Sequence, residues 1–202
     1  MDTIKLVYVD AVLDKYISAY LATINNQLEK DVQFQIQEIE FAEGGDVLTL
    51  IKNKDVQHAN ILLMDSELFK NDKKTKRVMG EQVILLLKKI NPFIKVIVIS
   101  QHKDVNHIGV VAKYKPEKMD LENDDVGMEY YNENLTPRLQ HAVRSVMKYR
   151  TIRQDIVENE ETKIILDQID GLMHGDWSYS NVQQDDIDNL ILHVKNLGAV
   201  YE

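Results

Sequence analysis

The sequence predicts an α/β fold: a doubly wound, five-stranded parallel sheet followed by a C-terminal helical extension. Three observations predict it. Short apolar runs alternate along the chain with stretches at helical spacing, the pattern of βαβ crossovers and of a parallel sheet covered on both faces. Several of these runs end on a charged or hydroxyl residue, at Asp10, Asp65, Ser100 and Lys115. Beyond residue 136 the apolar spacing is helical only.

The elements follow in order. Residues 4–9, IKLVYV, form a β-branched run ending at Asp10 and predict the first buried strand. Residues 13–28 carry Leu13, Ile17, Tyr20, Leu21, Ile24 and Leu28 at helical spacing. Residues 32–41, VQFQIQEIEF, alternate with one slip between Ile36 and Ile39, a strand with one wetter face. Residues 44–54 read as a short helix, and NILLMD, 60–65, as a strand from which Asp65 emerges. A helix over about 80–90 turns Val83, Leu86, Leu87 and Ile90 to one side and stops at Asn91-Pro92. KVIVIS, 95–100, is the most strand-like segment, and IGVVAKY, 108–114, predicts a fifth strand ending near Lys115-Pro116.

Residues 117–134 are polar, acidic and without a period, and read as a loop or insertion. Thr136-Pro137 then opens a long helix, with Thr136 as cap and proline in the first turn. Its apolar positions are Leu139, Val143, Val146, Met147, Ile152 and Ile156, so it outlasts the sheet. Residues 162–175 are amphipathic through Ile165, Ile169, Leu172 and Met173. Asn181 and Gln184 have capping-box spacing ahead of a helix bearing Ile187, Leu190, Ile191, Val194 and Leu197, with Gly198 as terminator. Such helices need cover from the sheet domain, from each other or from a partner chain. The expected division is an α/β domain over 1–150 and an acidic helical extension over 151–202.

Composition narrows the function classes. The chain has 202 residues, no cysteine and a net charge of −9. Disulfide and thiolate chemistry are therefore absent. Residues 151–202 hold three basic side chains against eleven acidic ones, a balance of −8, leaving −1 for the rest. An acidic extension is poorly suited to nucleic acid, whose binding depends on neutralising phosphates. The N-terminus lacks the pattern of a signal peptide and no apolar run approaches the ~20 residues that span a bilayer, so a cytoplasmic protein without membrane contact is expected. No Walker phosphate loop, Gly-x-Ser-x-Gly elbow or His-Glu-x-x-His occurs. His102 and His107 lack a third ligand at metal-site spacing. The basic run 70–77 reads as a solvated loop.

In doubly wound sheets the working site lies at the carboxyl ends of the strands, where strand order reverses. Asp10, Asp65, Ser100 and Lys115 are all predicted there. Two carboxylates, a hydroxyl and an ammonium suit phosphoryl transfer. One carboxylate attacks phosphorus and another helps hold Mg²⁺, while the hydroxyl and lysine bind phosphoryl oxygens. Asp10 is equally suited to capping a helix.

At these residues the chain resembles the receiver domain of response regulators in bacterial two-component signalling, over roughly residues 4–150. KLVYVDA resembles the first strand and its acidic end, and ILLMD the third strand with its phosphoacceptor. GEQVILLLKKINPFIKVIVIS resembles the third helix and fourth strand with its hydroxyl, and KYKP the lysine–proline after the fifth strand. The resemblance implies a flavodoxin-like fold, Asp65 as phosphoacceptor, and Ser100 and Lys115 as phosphoryl-binding residues, with Lys113 as the alternative lysine. It implies a weak Mg²⁺ site on Asp10, Asp65 and the Glu67 backbone carbonyl. It implies a signalling module rather than an enzyme, with protein partners including a histidine kinase, and a homodimer through the helix from Pro137.

The departures from the family are specific. Ala11 stands where receivers carry a second acid, Leu68-Phe69 replaces Met-Pro, and Ala112 falls at the switch-aromatic position. The segment between Ser100 and Lys115 is too short for a full fourth helix. These features open a second reading, a pseudo-receiver scaffold that binds partners without phosphate. A haloacid-dehalogenase-like phosphatase, which also uses an aspartate nucleophile, is rejected because Asp10-Ala11-Val12 lacks its spaced acid pair.

Overall fold

The computed structural model describes residues 2–26, 28, 31–42, 45–69, 80–101, 110–116, 124–160 and 162–175. The basic run at 70–77, both histidines of the 102–107 segment and the helix expected after Asn181 lie outside them. Five strands form one parallel sheet: β1 (Asp2–Asp10), β2 (Val32–Glu40), β3 (Ile61–Asp65), β4 (Lys95–Ser100) and β5 (Val110–Ala112). Their order is β2-β1-β3-β4-β5. This is the flavodoxin-like doubly wound order, with its switch point between β1 and β3.

Side-chain alternation along the strands divides the core in two. Ile4, Leu6, Tyr8, Ile61, Leu63, Ile97 and Ile99 face one layer. That layer is built on helix α1 (Lys15–Thr23) and helix α6 (Thr136–Asp155). Val7, Val9, Leu62, Met64 and Val98 face the other. There the cover comes from α2 (Val47–Lys52), α3 (Lys54–Gln57) and α4 (Gly80–Ile90). All five residues of β3 are buried, as befits a central parallel strand.

The starts of α1, α2 and α3 are set by side-chain caps. Asp14 Oδ1 accepts from the Tyr16 and Ile17 amides at the start of α1, so the capping expected of Asp10 falls to Asp14. Asp46 caps α2 and Asn53 caps α3 in the same way. The cap expected of Thr136 is not made: the N-cap position is Leu135, which makes no side-chain cap bond, and Thr136, already in the first turn, has its hydroxyl hydrogen-bonded to the Tyr20 hydroxyl at 2.7 Å.

Part of the stretch expected to be a loop is helical: α5 spans Asp124–Asn134. It buries Gly127 and Tyr131, with Leu135 next, at intervals of four. Its buried positions are a glycine and a tyrosine, with Met128 and Tyr130 only partly buried against the core, so no apolar period is visible. A Cβ at Gly127 would stand 2.3 Å from Tyr16 Cδ1, so only glycine lets α5 lie this close to α1.

Helix α6 runs unbroken past residue 150 to Asp155, with Ile156 as its C-cap. Helix α7 (Lys163–Met173) folds back toward the amino ends of the strands. Asn91 Nδ2 donates to Leu172 O at 2.9 Å and Asn60 Nδ2 to Met173 O at 3.3 Å. Arg153 forms a two-pronged ion pair with Asp170, at 2.6 and 2.8 Å. Leu166 is buried. Among the described residues no helix is long and apolar enough to cross a membrane.

Candidate functional site

The switch point brings the ends of β1 and β3 together. Asp10 is the last residue of β1 and Asp65 the last of β3. Both point to the α1–α6 layer, by the same alternation that sends Tyr8 and Leu63 there. Their common neighbour is Lys113, one residue beyond β5. Lys113 Nζ lies 2.7 Å from Asp10 Oδ2 and 3.4 Å from Asp65 Oδ1. All three side chains are more than nine-tenths buried.

The first carboxylate is the better satisfied. Asp10 Oδ2 also accepts from the Tyr8 hydroxyl at 2.7 Å, and that hydroxyl accepts from the Asp14 amide at 3.1 Å. Tyr8 therefore links the acidic end of β1 to the cap of α1. Burial and its bond to Asp10 push its phenol far above the usual range. Tyr8 lies in the run 4–9 expected to be a buried strand, and its ring is core; the sequence signal for its hydroxyl's role is the aspartate two residues on, on the same strand face.

Asp65 is less well served. Its Oδ1 is buried and makes no hydrogen bond of good geometry, although the Glu67 amide donates to the carboxylate. Burial raises the Asp65 pKa and the nearby Lys113 charge only partly opposes it. Burial alone would lower the Lys113 pKa. The hydrogen bond to Asp10 and the charges of Asp65 and Asp10 outweigh this and raise it.

The lysine at the carboxylates is thus Lys113, and Lys115 is exposed. The Lys113 amide donates to Ser100 O at 2.7 Å, prolonging the β4–β5 ladder by one residue. Lys113 keeps the strand's alternation and enters the pocket, whereas Lys115 lies beyond the paired region next to Pro116. Ser100 is buried at the end of β4, one residue beyond the level of Asp65, since Asp65 pairs with Ile99. The carboxylates of β1 and β3 and the lysine after β5 therefore meet as Asp10, Asp65 and Lys113, while Ser100 ends β4 at the same edge of the sheet, one position out of step with the alternation that Asp65 shares with Ile99.

Mg²⁺ demands near-octahedral oxygen ligation at about 2.0–2.1 Å. The donors available are Asp10, Asp65 and the Glu67 carbonyl, while Ala11 is exposed and offers none. An ammonium already occupies Asp10 Oδ2 and stands near Asp65 Oδ1. These residues fit Mg²⁺ poorly, because a divalent cation on both carboxylates has to displace Lys113. Among the described residues no group of three His, Cys, Asp or Glu side chains is arranged to hold a metal.

No family model matches the chain, and no curated protein matches it by sequence. Among solved structures it is similar to that of a two component transcriptional regulator AraC from Clostridium phytofermentans ISDg. The identity is 19%, over 73% of this chain and 98% of that one, with a TM-score of 0.43. The fold assignment rests on the strand order and not on this likeness.

Proposed function

We propose that the chain is a signalling module of the response regulator receiver type. In this reading Asp65 accepts a phosphoryl group from a histidine kinase and the protein acts through contacts with other proteins. The supporting observation is the convergence of Asp10, Asp65 and Lys113, with one ammonium within 3.4 Å of both carboxylates. An Asp65 oxygen attacks phosphorus, and the phosphorus–nitrogen bond of the donor phosphohistidine breaks. The imidazole leaves with the electron pair and takes up a proton. Lys113 then turns to the phosphoryl oxygens, where the Ser100 hydroxyl also donates. Such a protein is a switch and turns over no substrate of its own beyond its phosphoryl group.

The phosphate-independent scaffold is favoured by one feature, the replacement of the second acid by Ala11 beside a lysine that already neutralises Asp10. Incubation with acetyl phosphate, with and without Mg²⁺, followed by intact-mass measurement separates the two. The switch reading expects one phosphoryl group per chain, absent from Asp65→Asn. An unchanged mass under every condition supports the scaffold. Mg²⁺ binding is expected to be weak and to strengthen in Ala11→Asp; tight calorimetric binding to the unmodified protein contradicts this.

The partner surface we assign to the end of α6 and the start of α7, in a homodimer. Ile152 and Ile156 are 47% and 39% exposed there, and Ile164 and Ile165 are 69% and 58% exposed.

A further inference from the structure

We infer that Tyr130 and Tyr131 of α5 are positioning residues for Lys113, so that the inserted helix sets the charge of the candidate site. The inference rests on the receiver-type reading for its purpose, but not for its geometry. β5 is a three-residue edge strand, the kind of element that frays for want of partners on its outer side. Backbone groups of alternate residues point to opposite edges of a strand. The Lys113 amide points inward to Ser100 O. The flanking groups, Ala112 O and the Tyr114 amide, point outward, where a sixth strand would pair with them.

Helix α5 supplies that pairing with two hydroxyls. Tyr130 Oη donates to Ala112 O at 3.1 Å, and the Tyr114 amide donates to Tyr131 Oη at 3.0 Å. Consecutive tyrosines thus grip the backbone on both sides of Lys113. The grip is anchored to the fold. Tyr131 is fully buried and its ring lies 6.0 Å from that of Tyr20, while Gly127 lets α5 seat on Tyr16. The Tyr114 ring is wedged between Tyr16 and Tyr130, at centroid distances of 5.1 and 5.5 Å. A lysine on a flexible four-carbon stem holds two buried carboxylates only if its backbone is fixed. A shift of α5 away from α1 therefore withdraws Lys113 from Asp10 and Asp65. Conversely, a change in the Lys113 contacts is transmitted to α5.

The test is proton exchange measured by ¹⁵N NMR on the full chain, comparing Tyr130→Phe/Tyr131→Phe with the unmodified protein. Both rings remain and only the two hydroxyls are lost. The Lys113 amide and ammonium protons are expected to exchange roughly three- to tenfold faster, the scale of one net hydrogen bond. The Leu63 amide, in the sheet centre, is expected to keep its rate. Equal acceleration at Leu63, or no change at Lys113 in a folded variant, overturns the inference. If the double variant does not fold, Tyr130→Phe alone decides on the same signals, because Tyr130 is only partly buried. No phosphodonor is present in this experiment. Failure of the unmodified protein to take phosphate would therefore remove the phosphoacceptor reading and leave the positioning role standing.

Discussion

Asp10 and Asp65 meet Lys113 on unequal terms, and their variants should differ accordingly. Asp10 Oδ2 holds two hydrogen bonds, whereas Asp65 Oδ1 is buried without a good one. Folding raises the Asp65 pKa, chiefly through burial. Stability from a raised carboxyl is fully present below its unfolded pKa and is lost as pH climbs through the folded value. Ionised Asp65 is thus a cost at neutral pH. Asp65→Asn is expected to stabilise the protein at pH 7 by roughly 1–3 kcal/mol, the cost of a poorly bonded buried polar group. The gain should shrink as pH falls through the folded Asp65 value and into the carboxylate range. Urea unfolding at several pH values checks this; a gain independent of pH contradicts it. Lys113→Met strands two buried carboxylates and should cost about 3–5 kcal/mol. Lys115→Met, at an exposed position, should stay within about 0.5 kcal/mol. Equal losses for the two lysines would place the wrong one in the pocket.

Among the elements, β1, β3 and β4 were legible because a strand buried on both faces must be a nearly unbroken apolar run. Asp10 and Asp65 were legible as carboxylates ending such runs. The lysine was not, because KYKP offers two candidates of the same strand parity and only the end of the β4–β5 ladder chooses between them. Helix α5 was hidden because its packed face is Gly127, Tyr131 and the adjoining Leu135 rather than an aliphatic stripe. Thr136 does not cap α6 because the helix starts one residue earlier than the Thr-Pro signal implies, with Leu135 at the cap position. The amphipathic pattern of α7 was visible, but its hydrogen bonds to Asn60 and Asn91 connect residues too distant for any local pattern. Those bonds tie α7 to the loops before β3 and β4, and Leu166 is its buried anchor. Leu166→Ala is expected to destabilise the whole chain by about 2–5 kcal/mol in a single unfolding transition. A separate early transition for α7, with the sheet unaffected, would show two independent units.

For the molecule as a whole, the candidate site and the docked α7 lie at opposite ends of the sheet. Ile152 near the end of α6, Ile156 just past it, and Ile164 and Ile165 in the first turn of α7 are exposed. Covering a few such side chains contributes at most about 1.5–3 kcal/mol each, against the cost of association. A homodimer is expected by light scattering at tens of micromolar, and Ile152→Glu should return it to a monomer. A monomeric unmodified protein whose mass and stability ignore that change would rule the surface out. At the other end, Asp65, held near Lys113, is the residue proposed to take the phosphoryl group. An acyl phosphate is reduced by borohydride to the alcohol, which converts a phosphorylated aspartate into homoserine and marks it permanently. After treatment with acetyl phosphate and then borohydride, peptide mapping should find homoserine at position 65 and at no other aspartate, Asp10 included. Homoserine elsewhere, or none at position 65 in both the unmodified protein and Ala11→Asp, would contradict the account.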